Sequence, residues 1–172
     1  MMAIHSADQK VQMTVSAQEF KDAMSNVAAT VTIVTASTAD GLVGLTATAF
    51  MSVSADPAIV LVCIDKRTGS LEPMLEAEGF TVNIMPEGTE DEAMLFATHG
   101  ADKFGGSEWR YASIEQAGPV LTHALEHLEC VTCSRSEMGD HWVIYGKVEA
   151  VGVADASAVP LIWRGRGFVK LA

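Results

Sequence analysis

Three short segments of the sequence carry residue types that could bind a ligand. The first, Gly44 to Ser54, reads GLTATAFMSVS and has small side chains and hydroxyls where a buried strand would carry large apolar residues. Small side chains let a planar ligand approach the backbone closely, and hydroxyl and N–H groups can bond the edge of a heterocycle. Alternatively, this segment packs tightly against a neighbouring strand or lies at a subunit interface.

The second segment, Asp65 to Ser70, reads DKRTGS and follows an apolar run directly. Lys66 and Arg67 are adjacent cations, and they precede a hydroxyl, a glycine and the start of a predicted short helix. Such a combination suits a phosphate group, because helix N-termini and cations both favour negative charge. The alternative is a solvated turn with no ligand.

The third segment is Gly139-Asp140-His141, at the predicted turn between two long strands. If this turn faces a pocket, His141 can donate a hydrogen bond or titrate near neutral pH. Otherwise, Asp140 and His141 only close an exposed turn.

Metal and hydrolase motifs are not supported by the sequence. Cys130 and Cys133 are spaced C-x-x-C within a predicted strand, which places them on opposite faces, and no second pair accompanies them. His123 and His127 do not form H-E-x-x-H, and neither G-x-S-x-G nor a strand followed by G-x-G-x-x-G occurs. We therefore expect no metal site and no Rossmann-type cofactor cradle.

Composition bounds the class of protein. The chain has 172 residues, of which 49% are hydrophobic and 19% charged, so we expect one globular domain over residues 16–172 after a flexible arm at residues 1–15. The formal net charge of −11 opposes binding to nucleic acid or to an anionic membrane surface. No secretory signal or membrane span is recognised, and three cysteines fit reduced thiols, so we expect a cytoplasmic protein.

The hydrophobic pattern predicts many strands and few helices. Ser16 and Glu19 can form a capping box, followed by a helical stripe of Phe20, Met24 and Val27 that we expect to pack in the core. The other predicted helices are 71–77 and 89–98, and the predicted strands are 30–37, 42–54, 58–65, 80–85, 125–137, 141–153, 160–163 and 168–171. Without a regular βαβ alternation, this order favours a closed or partly closed antiparallel barrel.

Together, these pieces resemble the short-chain flavin reductase family, whose fold is the FMN-binding split β-barrel. The resemblance covers about residues 20–171. The matching motifs are FKDAM (20–24), TVTIVT (30–35), GLTATAFMSVSADP (44–57), VCIDKRTGS (62–70), FTVN (80–83), DKF (102–104), GDH (139–141) and PLIW (160–163). The chain departs from many relatives in TATAF, where they carry Asn-Ser before Phe, and in Ala58, where a second Pro is common.

The resemblance implies a homodimeric, NADH- or NADPH-dependent reductase of FMN or FAD that supplies reduced flavin to a separate monooxygenase. It places His141 near the nicotinamide and the phosphate end of the flavin at the 65–70 turn. The flavin-binding residues that it implies are Thr46, Ala47, Thr48, Ala49, Ser52, Val53, Ser54, Asp65, Lys66, Arg67, Ser70, Asn83 and Phe104. Two alternatives stay open: a flavin carrier or sensor without turnover, and a flavin-dependent reductase of another substrate such as a corrinoid.

Overall fold

The computed structural model describes residues 15–153 and 157–171, so the predicted arm lies outside the described residues except for Val15. The helices are α1 (Ala17–Ser25), α2 (Leu71–Glu76) and α3 (Glu90–Ala97). The strands are β1 (Ala29–Thr30), β2 (Thr32–Thr38), β3 (Gly41–Ala47), β4 (Phe50–Ala55), β5 (Ala58–Asp65), β6 (Gly79–Ile84), β7 (Trp109–Arg110), β8 (Val120–Leu121), β9 (Glu126–Met138), β10 (His141–Val153), β11 (Ile162–Arg164) and β12 (Gly167–Val169).

Seven strands form the main sheet, in the order β3-β2-β6-β9-β10-β5-β4, and every neighbouring pair is antiparallel. The outermost strands, β3 and β4, are consecutive in the chain and joined only by Thr48 and Ala49. Such a short link requires the two edges to meet, so the sheet must curl into a barrel. The prediction of a mainly β, antiparallel barrel with a few short helices is confirmed.

Strand β2 is buried on both faces, which explains its continuous β-branched sequence. Val34 packs inside the barrel with Val62, Phe80 and Ile144. Its neighbour Ile33 points the other way, because successive side chains of a strand alternate. Ile33 belongs to a second apolar cluster outside the barrel, formed with Met85, Phe96, Leu121 and Leu161. Helix α3 covers this second cluster and thereby fixes the loop that follows it against the barrel.

Helix α1 begins where the sequence predicts, but its apolar stripe is not in the core. The capping box is present: Glu19 N donates to Ser16 Oγ at 3.2 Å, and Ser16 N donates to Glu19 Oε2 at 2.9 Å. Phe20, Met24 and Val27 are nevertheless 60%, 49% and 52% exposed. The prediction of core packing is therefore wrong, since the helix is held to the β11–β12 turn by polar contacts instead, including an ion pair between Asp22 and Arg166.

A buried carboxylate on β9 anchors the loop that precedes β8. Glu129 is 2% exposed, and its Oε2 accepts hydrogen bonds from Ser113 N at 2.8 Å, Ser113 Oγ at 2.5 Å and Ile114 N at 2.9 Å. Burial alone would raise the pKa of this carboxyl, but the hydrogen bonds outweigh burial and hold the pKa below its ordinary value. Glu129 is thus ionised at neutral pH and ties two distant parts of the chain together.

We expect Glu129→Ala to lower the free energy of unfolding by about 2–3 kcal/mol at pH 7, because it leaves three donors without their acceptor. Since the pKa of the folded carboxyl is lowered, the wild-type advantage is complete above the ordinary value of 4.5 and declines as the pH falls below it. Urea unfolding across a pH series measures this. Glu126→Ala, on the same strand, is the matched control; equal losses in both variants would contradict the anchoring role.

Candidate ligand-binding cavity

A cavity of about 920 Å³ lies beside the β3–β4 link. Four parts of the chain meet there: β3 with its link, the turn after β5, the end of α3 with the loop 98–104, and the start of β10. Cavities of this size hold cofactors and drug-sized molecules. Of the residues that the sequence predicted for a site, the cavity is lined by Thr46, Ala47, Thr48, Ala49, Asp65, Arg67, Ser70, Phe104 and His141.

The β3–β4 link supplies exposed backbone. Thr48 and Ala49 lie between the two strands and are exposed. The Ala49 carbonyl accepts from Cys63 N at 2.9 Å, but among the described residues neither N–H group of the link donates to a backbone carbonyl. Before them, Thr46 is fixed, because its Oγ1 donates to the carbonyl of Ala93 in α3 at 2.5 Å. The link therefore offers N–H donors next to small side chains, which is the surface expected for the edge of a planar heterocycle.

Gly44 allows two aromatic rings to form one wall of the cavity. A Cβ at this position would lie 2.7 Å from Cε1 of Phe96 and 3.4 Å from Cζ of Phe104. The two rings contact each other edge to face, with centroids 5.4 Å apart. A glycine is therefore needed where β3 passes these rings.

The two cations of the turn after β5, Lys66 and Arg67, each form an ion pair with a different carboxylate. Arg67 forms an ion pair with Asp65, with 2.6 Å between Nη2 and Oδ2, and these hydrogen bonds hold the pKa of the Asp65 carboxyl well below its ordinary value. Lys66 donates instead to Glu137 and to the carbonyl of Gly139 at 2.6 Å, and it does not line the cavity.

His141 lines the cavity at the first position of β10. Its Nδ1 lies 2.7 Å from Oδ1 of Asp140, and its side chain is 39% exposed. The hydrogen bond with His141 lowers the pKa of the Asp140 carboxyl. If the shared proton is on Nδ1, the pair fixes the ring orientation and leaves Nε2 for a ligand.

Four other predicted site residues lie away from the cavity. Asn83 is fully buried in the core, where its Nδ2 donates to Ile33 O at 3.0 Å and its Oδ1 accepts from Leu121 N at 2.9 Å. Its side-chain amide thus links β6, on which it lies, to β2 and to β8. Ser52, Val53 and Ser54 lie on β4, the edge strand beyond the cavity, with Val53 49% exposed at a bulge. The structure therefore places one of these residues in the core and the other three on an edge strand, although the family resemblance implied all four as flavin-binding residues.

Lys103, His99 and Cys63 also line the cavity, although the sequence did not single them out. Lys103 Nζ donates to the carbonyl of Gly44 at 2.8 Å, and burial lowers the pKa of its ammonium group. His99 packs closely on Gly69, where a Cβ would lie 2.9 Å from its Cε1. For Lys103 a signal existed, since it is the middle residue of the DKF motif.

Metal binding finds no support in the part of the chain that the structure describes, where no group of three or more His, Cys, Asp or Glu side chains could hold an ion. Cys130 is buried and Cys133 exposed, as expected for residues on opposite faces of β9. Among the described helices, none is long and apolar enough to cross a membrane.

The structure thus combines an antiparallel barrel with a cavity lined by backbone, glycines and hydroxyl groups, a surface that suits a small planar ligand. A family model described as flavin reductase like domain matches residues 24–172. The chain is 37% identical over 164 residues to NADH:riboflavin 5′-phosphate oxidoreductase of Streptomyces pristinaespiralis, covering 94% of this chain and 92% of that protein. The chain therefore belongs to the flavin reductase-like family, and the resemblance inferred from its motifs is confirmed.

Solved structures agree with this assignment. The NADH:FAD oxidoreductase SgcE6 of Streptomyces globisporus, in complex with NAD and FAD fragments, superposes with a TM-score of 0.84 at 28% identity, covering 90% of this chain and 92% of that one. BorF, the flavin reductase component of a bacterial two-component tryptophan halogenase, gives a TM-score of 0.81 at 25% identity, covering 90% and 97%. The fold is the split barrel of these flavin reductases.

We expect Gly44→Ala to lower the free energy of unfolding by about 1–3 kcal/mol, because its Cβ overlaps the ring of Phe96. Phe96→Leu should be destabilising alone but should make Gly44→Ala less costly when the two are combined, since the clash is then relieved. Urea unfolding of the two single variants and the double variant measures this coupling. Strict additivity would contradict the close approach.

Proposed function

We propose that this protein is an NAD(P)H:flavin oxidoreductase that transfers hydride from NADH or NADPH to FMN or FAD and supplies reduced flavin to a partner monooxygenase. The main observation behind this proposal is that one cavity collects four of the motifs that the sequence shares with the family. They are TATA (46–49), the DKRTGS turn (65–70), Phe104 of DKF and His141 of GDH. Relatives named as NADH-dependent FMN or FAD oxidoreductases support the same activity.

The cavity fits a flavin in both shape and donors. Ala47 and Ala49 leave room for a flat ring system beside the backbone, and the N–H groups of Thr48 and Ala49 can donate to its polar edge. A bound flavin supplies the hydride acceptor. The protein then has to hold the nicotinamide ring against the flavin ring and to exclude water from between them.

His141 is placed to orient the nicotinamide. It lines the cavity at the first position of β10, and Asp140 holds its ring through Nδ1. Hydride transfer needs no proton from the protein, so we assign His141 a positioning role, in which Nε2 binds a polar group of the nicotinamide.

We also propose a homodimer, formed through the outer face of β4, β5 and β10. Leu61 is paired with Met51 on one side and Tyr145 on the other, and all three point away from the barrel interior that Val60 and Val62 occupy. Met51 is 62% exposed. Cys63 lies two residues further along the same face and lines the cavity, so the proposed interface would lie close to the bound flavin.

A reducing compartment such as the cytoplasm is also proposed. The three cysteines, Cys63, Cys130 and Cys133, are all free, which fits thiols that are kept reduced.

The proposed activity is tested by following NADH and NADPH oxidation at 340 nm with FMN, FAD or riboflavin added. We expect consumption of at least one nicotinamide that depends on added flavin. Tight flavin binding without consumption would favour a carrier or sensor, and consumption only with a further acceptor would favour a reductase of that acceptor. Absence of both binding and consumption would overturn the proposal.

We expect His141→Ala to raise the KM for the nicotinamide and to lower kcat/KM by about 10-fold or more, because the ring no longer positions the dinucleotide. The Kd for oxidised flavin should change little. His123→Ala, at an exposed histidine outside this cavity, is the control. Stopped-flow reduction of the flavin-loaded protein across NADH concentrations provides the measurement, and a wild-type rate and affinity would remove His141 from the site.

For the dimer, we expect Met51→Glu to convert a dimeric wild-type protein into a monomer, because it places a charge in the apolar face. Met94→Glu is the matched control, since Met94 is a 51% exposed methionine on α3, away from this face. Light scattering after gel filtration gives the mass of each. A monomeric wild-type protein, or dissociation by both variants, would contradict this interface.

A further inference from the structure

A second cavity, of about 580 Å³, is lined by the first turns of α3 and by the loop that follows Phe104. Three acidic residues, Asp91, Glu92 and Glu108, contribute to its wall, and the described residues that line it include no lysine or arginine. It shares no lining residue with the cavity of about 920 Å³. Acidic side chains alone do not make a binding site, because water satisfies them at a protein surface. The burial and the partners of each carboxylate therefore decide what this cavity can bind.

Glu92 differs from its two acidic neighbours, because its carboxylate is buried and has no hydrogen-bond partner. Its side chain is 11% exposed, and neither Oε1 nor Oε2 accepts a hydrogen bond from any described residue. Asp91 and Glu108, by contrast, are exposed. A buried carboxylate is costly unless a cation or several donors face it. Glu129 has three such donors, whereas Glu92 has none within the described chain.

The polar groups around Glu92 do not satisfy it. Thr89, the N-cap of α3, donates its Oγ1 to the carbonyl of Pro86 at 2.7 Å. His123 Nδ1 lies 3.4 Å from Glu92 Oε2 without forming a hydrogen bond to it. Ser107 Oγ also lines the cavity, and it too is buried without a partner among the described residues. The wall of this cavity thus holds three buried oxygen atoms that lack partners in the described chain.

A primary ammonium group has the chemistry that these oxygens need. It carries a positive charge and three N–H donors on one compact nitrogen. A metal ion is a poorer match, because in the described parts of the chain no group of three or more His, Cys, Asp or Glu side chains could hold one. The net charge of −11 favours the approach of any cation. Leu95 adds an apolar surface on which an alkyl chain can lie.

We propose that this second cavity binds a small aliphatic amine, with Glu92 as the carboxylate that pairs with the ammonium group and Ser107 as a further acceptor. A diamine is the preferred ligand, because Asp91 and Glu108 line the same cavity and can pair with its second charge. Access to the Glu92 carboxylate requires the ring of His123 to turn aside, which its 57% exposed side chain permits. The site is separate from the cavity to which we assign the flavin, so it does not depend on the proposed reductase activity.

Isothermal titration calorimetry of the whole protein with putrescine tests this proposal. We expect saturable binding that Glu92→Gln weakens by about 10-fold or more, because the ammonium group loses a charged acceptor. Glu90→Gln is the matched control: it removes the same charge from the same turn of α3, but Glu90 does not line the cavity, so the Kd should stay nearly unchanged. Fully N-methylated putrescine keeps both charges but has no N–H donor, and we expect it to bind much more weakly than putrescine.

Thermal unfolding provides a second readout, since a ligand that binds only the folded protein raises its Tm. Putrescine should raise the Tm of the wild type and of Glu90→Gln, but not that of Glu92→Gln. Circular dichroism checks that each variant is folded, and Glu92→Met repeats the test should the Gln variant be unstable.

The proposal is overturned if the wild type shows no saturable binding of putrescine. It is also overturned if both Gln variants weaken binding equally, or if the N-methylated amine binds as well as putrescine, because the attraction is then only that of the net charge. Binding of Mn²⁺ or Zn²⁺ that depends on Glu92, without binding of putrescine, would assign the cavity to a metal ion instead. None of these results affects the proposed reductase activity, which the NADH and NADPH assay tests separately.

Discussion

The short link between β3 and β4 is the constraint on which the rest of the structure depends. Thr48 and Ala49 join the two outermost strands of a seven-stranded sheet, so the sheet has to close on itself. Closure gives the barrel its interior core. In the link, the Ala49 carbonyl accepts from Cys63 N, but the N–H groups of Thr48 and Ala49 donate to no backbone carbonyl of the described residues. The same pair of residues therefore closes the fold and provides the free N–H groups of the cavity. Larger side chains at Thr48 and Ala49 would obstruct access to these N–H groups.

A second constraint is electrostatic. With 22 acidic and 11 basic residues, the protein repels an anion at long range, and several of its cations pair with carboxylates. Binding a phosphorylated ligand then depends on local charge within a partly buried corner, where screening by solvent is weaker. Lys103 has this environment because the loop after α3 folds over β3, and that loop is held in turn by the aromatic contact of Phe104 with Phe96.

Local signals in the sequence predicted much of the fold, and tertiary packing decided the rest. Strands 58–65 and 141–153 coincide with β5 and β10, because proline and glycine turns bound them sharply. The periodicity of α1 identified its apolar face, but periodicity does not show what covers that face, and the stripe proved exposed. The family resemblance placed Asn83 at the flavin, but its side-chain amide is hydrogen-bonded within the core. Lys103 belongs to the DKF motif, but its place on the cavity wall depends on the position of a loop, which sequence spacing does not predict.

The groups on the cavity wall fit a reaction that depends on orientation more than on proton transfer. Burial raises the pKa of the Cys63 thiol, which keeps it protonated and a poor nucleophile. Arg67 holds the pKa of Asp65 low, so this carboxyl stays ionised and cannot act as a general acid near neutral pH. His141 also lines the cavity, and its neighbour Asp140 fixes the ring. A hydride moves with both its electrons and needs no acid or base from the protein. A cavity that positions the nicotinamide and the flavin is therefore sufficient for hydride transfer. An acyl-transfer reaction through a thiolate would require an activated cysteine, and burial shifts the pKa of Cys63 in the opposite direction.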